Sequence, residues 1–72
     1  MQKNHTLLMQ VYVNNEEVSI FAGATALDAV RRYCADAGIP LPQGELYDVY
    51  GNVIATDSPM SEGRCIFTYH PF

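Results

Sequence analysis

Two cysteines, two histidines and a scatter of carboxylates are the residues of this 72-residue chain whose types could support nucleophilic, metal or acid–base chemistry. Cys34 and Cys65 lie too far apart in sequence to form a local zinc knuckle, and no paired histidine motif completes a tetrahedral set. They read as free thiols, buried like other small hydrophobes. A disulfide between them would need Cα atoms within about 7 Å and an oxidising compartment. His5 and His70 fall in the two terminal segments, where neither has a serine and acid to complete a triad. Asp48, Asp57, Glu45 and Glu62 could converge at one end of a sheet as oxygen ligands for a divalent cation. No calcium-loop spacing links them, and isolated acids beside turns usually cap those turns. The glycines around Gly23 lack the repeat and the lysine of a phosphate cradle. No catalytic, metal or cofactor site is expected.

Aromatic residues are the stronger signal. Five tyrosines and three phenylalanines exceed what a core this small can hide. Tyr12 and Phe21 fall opposite the inward valines of their strands, on the sheet face a helix leaves uncovered. On the last strand Cys65, Phe67 and Tyr69 share one face, and Arg64, Ile66 and Thr68 the other. If Ile66 turns inward, Phe67 and Tyr69 extend the outer patch. Tyr12, Phe21, Tyr69 and Phe72 are therefore the partner-binding candidates, because exposed aromatics bury large areas at small entropic cost. Cross-strand pairing that only stabilises the sheet, by about 0.2–1 kcal/mol per pair, is the competing explanation.

The elements that must position these residues follow from periodicity. Apolar residues at Leu7, Met9, Val11 and Val13 alternate with Leu8, Gln10 and Tyr12, which predicts a half-buried strand from Thr6 to Val13. Asn14-Asn15 suits a tight hairpin, and Val18 and Ile20 mark a second strand from Glu16 to Phe21. Thr25, with Asp28 three residues on, opens a helix to Ala37, whose apolar stripe holds Leu27, Val30 and Cys34, widened by Ala26 and Ala37. Gly38 provides a left-handed stop, and Pro40 and Pro42 prevent continuation. Leu46 to Tyr50, Val53 to Thr56 and Arg64 to Tyr69 read as three further strands, with a turn at Gly51-Asn52. The predicted class is α+β, a mixed sheet of four to five strands packed on one helix in the order ββαβββ. Residues 1–5 are expected to be a disordered tail, 6–70 a single domain and 71–72 a C-terminal tail.

Composition narrows the function classes. Hydrophobic residues are 49% and charged residues 17% of the chain, a balance suited to one folded domain. A chain this short buries only about 60% of its unfolded surface, which argues against a deep, water-excluding active site. A formal charge of −4, with basic residues adjacent only at Arg31-Arg32, disfavours nucleic acid. No run is long enough to cross a bilayer and no cleavage site is evident, so a cytoplasmic protein is expected.

VNNEEVSIFAGATALDAVRRYCADAGIPLP resembles the opening of ferredoxin-type domains, which carry a VNG turn, a G-x-T-x-L-D-A helix start and an I-x-I-P exit. In those domains a cysteine loop for a two-iron cluster follows the helix, and here residues 41–46 contain no cysteine. GATALDAV with GNVIATDSPMSEGRCIF resembles TGS domains, which are noncatalytic appendages. Length and expected topology are similar to the sulfur carriers of thiamine and molybdopterin synthesis, whose Gly-Gly terminus is adenylated, whereas here the residues are Tyr69-His70-Pro71-Phe72. From about Met9 to Tyr69 the chain thus resembles the β-grasp, or ubiquitin-like, superfamily. The resemblance implies a noncatalytic interaction or regulatory module docking on a partner protein. The alternative is a sulfur-carrier or degenerate ferredoxin-like component of a cofactor or redox pathway. Small-ligand binding and homodimerisation through an edge strand are further readings.

Overall fold

The computed structural model describes residues 7–72. The expected disordered tail at 1–5, His5 within it and the predicted strand start at Thr6 lie outside the described residues. The fold is α+β, with one helix and a mixed sheet. In chain order the elements are β1 (Leu8–Val13), β2 (Glu16–Phe21), α1 (Ala26–Ala37), β3 (Leu46–Tyr47), β4 (Val53–Ile54) and β5 (Cys65–Ile66).

Asn14 and Asn15 both adopt left-handed backbone, with φ of 54° and 69°, and so form the two-residue turn whose twist matches the strands it joins. The hairpin pairs without a bulge from Val13↔Glu16 to Leu8↔Phe21. β5 then adds parallel to β1 on its other side, giving a three-stranded sheet of order β2-β1-β5. β3 and β4 form a separate antiparallel pair. A single bridge joins the two sheets, as Tyr47 and Phe67 exchange main-chain hydrogen bonds of 2.9 and 2.8 Å.

The sheet is thus divided three and two, and its last three strands are shorter than expected. Leu46 to Tyr50 was a five-residue prediction, yet pairing stops at Tyr47 because the Asp48 carboxylate accepts from the main-chain N–H groups of Tyr50 and Asn52, each at 2.9 Å. That side chain closes a turn where a strand would need free backbone. Residues 55–56 leave β4 because Thr56 C=O serves the helix instead, and β5 ends at Ile66 with Phe67 in the isolated bridge.

α1 begins and ends where its capping residues stand. Thr25 Oγ1 accepts from Asp28 N–H and the Asp28 carboxylate accepts from Thr25 N–H, a reciprocal capping box. The first two helical N–H groups, on Ala26 and Leu27, donate to Ser58 and Thr56 carbonyls at 2.8 and 2.9 Å. Donors that a helix start leaves orphaned are therefore satisfied by the loop before β5. At the other end Gly38 takes the left-handed conformation and Ile39 N–H reaches back to Cys34 C=O.

The core lies between α1 and the inner sheet face, formed by Met9, Val11, Val13, Val18, Ile20, Val30, Cys34 and Ile66 with the alanines at 24, 26 and 29. Leu46 and Met60 extend it. Three side chains depart from the alternation and stripe predicted above. Leu7 precedes the first strand and is exposed; Leu27 is only half-buried; Ala37 is exposed in the last turn. Ala29 is buried in their place, because close helix–sheet approach favours the small residue.

Hydrogen bonds from Thr25 main chain and hydroxyl hold the Asp28 carboxyl below its ordinary pKa of 3.8, with Arg31 adding to the effect. The folded state therefore binds fewer protons than the unfolded chain in acid. Its stabilisation is complete above the ordinary value and is lost as pH falls through the lowered one. Thermal denaturation between pH 2 and 7 is expected to show Asp28→Asn with a shallower acid decline, and Thr25→Ala is expected to cost about 1 kcal/mol at neutral pH.

Candidate functional site

Among the described residues no cluster of three or more histidine, cysteine or carboxylate side chains is placed to hold a metal ion. Asp48 is committed to its turn, and hydrogen bonds from Asn52, then Tyr50, hold its carboxyl below the ordinary value. Glu62 accepts from Gln10 N–H on the β5 side of β1, and Asp57 and Glu45 are exposed. The turn beside Ser58-Pro59, where Asp57 was the expected cap, instead closes by Ser58 N–H to Ala55 C=O and is held by Arg64, which donates to Ser58 Oγ and Pro59 C=O.

The two thiols are free and lie on opposite sides of the sheet. Cys34 is in the core with Ile66. Cys65, the residue before Ile66, is in register with Tyr12 on the outer face, only half-buried, and its thiol donates to Gly63 C=O. Alternation along β5 thus separates two residues that sequence allowed to meet.

The four aromatic candidates fall in different places. Tyr12 is half-buried at the centre of the outer face, between Glu17 and Cys65 in the register. Phe21 is 54% exposed at the far end of β2, opposite Leu8, itself 64% exposed. Four residues of β1, roughly 13 Å, separate the two aromatics. Between them lies a polar rung in which Ser19 Oγ donates to Gln10 Oε1 at 2.9 Å. Tyr12 and Phe21 therefore do not form a continuous apolar patch within one molecule.

Tyr69 and Phe72 gather elsewhere. Phe67, expected on the outer patch, is buried; it lies outside the helix-facing core and packs edge-on against Tyr69 with ring centroids 5.8 Å apart. His70 packs edge-on to Tyr47 at 5.3 Å and to Phe72 at 5.8 Å. Phe72 N–H donates to His70 Nδ1 at 3.4 Å. His70 and Phe72 thus lie over the β3–β4 turn. Tyr69 is 52% and Phe72 83% exposed, and Tyr50 and Val53 of the same hairpin are exposed as well. Nothing in the sequence marks this aromatic end, because it depends on the turn glycine lying beneath the imidazole.

Two open grooves follow the outer side of β2 where it meets α1. One, of about 360 Å³, is lined by Leu8, Ser19, Phe21, Asp28, Arg31 and Arg32. The other, of about 290 Å³, is lined by Glu16, Glu17, Tyr33 and Asp36. No helix among the described residues is long and apolar enough to cross a membrane. The chain matches no protein-family model and no curated protein sequence.

Gly51 is the hinge of the aromatic end. Its φ is +82°, and an added Cβ would sit 2.9 Å from His70 Nε2 and 3.2 Å from Phe72 Cδ2. Gly51→Ala is expected to release the imidazole, moving the His70 ring resonances in NMR to those of an unpacked histidine. Gly44→Ala, at a positive φ with nothing within 4 Å, carries backbone strain of about 1–2 kcal/mol yet should leave those resonances in place.

Proposed function

We propose that this chain is a noncatalytic β-grasp module that docks on another protein through its aromatic C-terminal end. The element order ββαβββ and the placement of β1 between an antiparallel β2 and a parallel β5 support the β-grasp reading. One observation carries the docking reading. Phe72 is 83% exposed although its neighbour His70 is packed on Tyr47 and against Gly51. An aromatic ring held outward by an already ordered backbone loses little entropy when it is buried by a partner. Tyr69 beside Phe67, with Tyr50 and Val53, supplies further apolar surface around that anchor.

A photo-crosslinking amino acid replacing Phe72 tests this in cells of the source. One discrete covalent adduct is expected, diminished by Tyr69→Ser and absent when the same amino acid replaces the exposed Asp57. Labelling at position 72 no more selective than at position 57 would remove the proposal.

A further inference from the structure

We infer that two copies of this chain associate by antiparallel pairing of their β2 strands about a two-fold axis at Ser19. The inference is independent of the aromatic end. The two-residue turn makes Val13↔Glu16 a hydrogen-bonded pair, so Val11↔Val18 and Met9↔Ile20 are hydrogen-bonded too. The main-chain groups of Glu17, Ser19 and Phe21 consequently point away from β1. The partner strand corroborates this phase, because Tyr12 N–H and Gln10 C=O turn the opposite way, to Arg64 C=O and from Gly63 N–H.

β2 is an edge of its sheet, and among the described residues no strand pairs with its outer side. Proteins usually blunt such an edge with lysine, proline or a bulge. β2 has none of these, its register is regular, and its only charges are Glu16 and Glu17 at its start.

Charge chooses both the occupant and its direction. The start of β2 carries Glu16 and Glu17, while its end borders the groove in which Arg31 stands beside Asp28 and Arg32 is already ion-paired to Asp36 at 3.2 Å. Those arginines are two of the four basic residues in the whole sequence. In an antiparallel pair the glutamates at the start of one β2 lie toward Arg31 at the end of the other, and two-fold symmetry repeats the match. Parallel pairing, or an antiparallel register centred on Glu17, would set glutamate beside glutamate.

With Ser19 opposite its twin, Glu17 faces Phe21 of the second copy. About four main-chain hydrogen bonds form from the free outward groups of those residues, the Phe21 carbonyl already accepting from Ala24 N–H at 3.1 Å. The resulting six-stranded sheet also brings together aromatics that one molecule separates. Tyr12 and Glu17 of one copy then share a rung with Phe21 and Leu8 of the other.

Sedimentation equilibrium of the full chain up to millimolar concentration tests the association. A reversible monomer–dimer equilibrium is expected, lost in Ser19→Pro, which removes an outward N–H while leaving the β1 ladder intact, and lost in Ser19→Lys, which keeps the backbone. The register is read by Ser19→Cys in a Cys65→Ser background under oxidised glutathione. A hydrogen-bonded antiparallel pair holds Cα atoms about 5.5 Å apart, within disulfide reach, so covalent dimers should accumulate there and not with Glu17→Cys in the same background. A monomer at every concentration, a dimer unaffected by both Ser19 variants, or self-linking at position 17 in place of 19 would overturn the inference.

Discussion

β1 is hydrogen-bonded along both sides and buried on one face, and the rest of the molecule is arranged around that double demand. Its even-numbered residues direct their main-chain groups to β5, its odd-numbered residues direct theirs to β2, and the odd side chains Met9, Val11 and Val13 fill the core. A one-residue slip against either neighbour would turn the valines to solvent and Gln10 inward. The Asn14-Asn15 turn fixes the register on one side. On the other, Asn14 repeats the constraint with its side chain, accepting from Thr68 N–H at 2.9 Å while its amide donates to Thr68 Oγ1. One residue therefore ties the pairing on both sides of the central strand.

The second half of the chain contributes little regular structure, yet its main-chain groups serve the first half. Ser58 and Thr56 carbonyls close the start of α1, Met60 N–H donates to Ala24 C=O, and Arg64 spans the same loop. Met60 enters the core from a segment with no strand or helix of its own. Such a loop replaces sheet length with helix capping where β4 ends, because Thr56 C=O accepts from Leu27 N–H instead of extending the β3–β4 pair. No buried side-chain polar atom is left without a partner among the described residues.

Surface character divides along the same lines. The outer sheet face is broken by the Gln10–Ser19 rung, so its aromatics stand apart. Around the β3–β4 turn, by contrast, Tyr47, His70 and Phe72 stack in sequence because a glycine leaves room for them. Apolar side chains on an irregular but internally braced segment are held out from the core without being free to collapse into it.

Local physics determined the front half by itself. Asn14-Asn15, the alternation from Met9 to Phe21, the Thr25 and Asp28 box and Gly38 each specify their geometry through nearest neighbours, so β2 and α1 fall where sequence places them. The outward side of Phe21 was legible for the same reason, through its alternation with Val18 and Ile20. The back half was not, because contacts distant in sequence decide it. Whether residues 48–50 and 55–56 continue as strands depends on which distant donors claim their carbonyls and carboxylates. Burial of Phe67 follows its bridge to Tyr47, separation of Cys34 from Cys65 follows the inward turn of Ile66, and the aromatic end exists only because Gly51 lies under His70. Periodicity states which residues share a face; only tertiary pairing states what covers it.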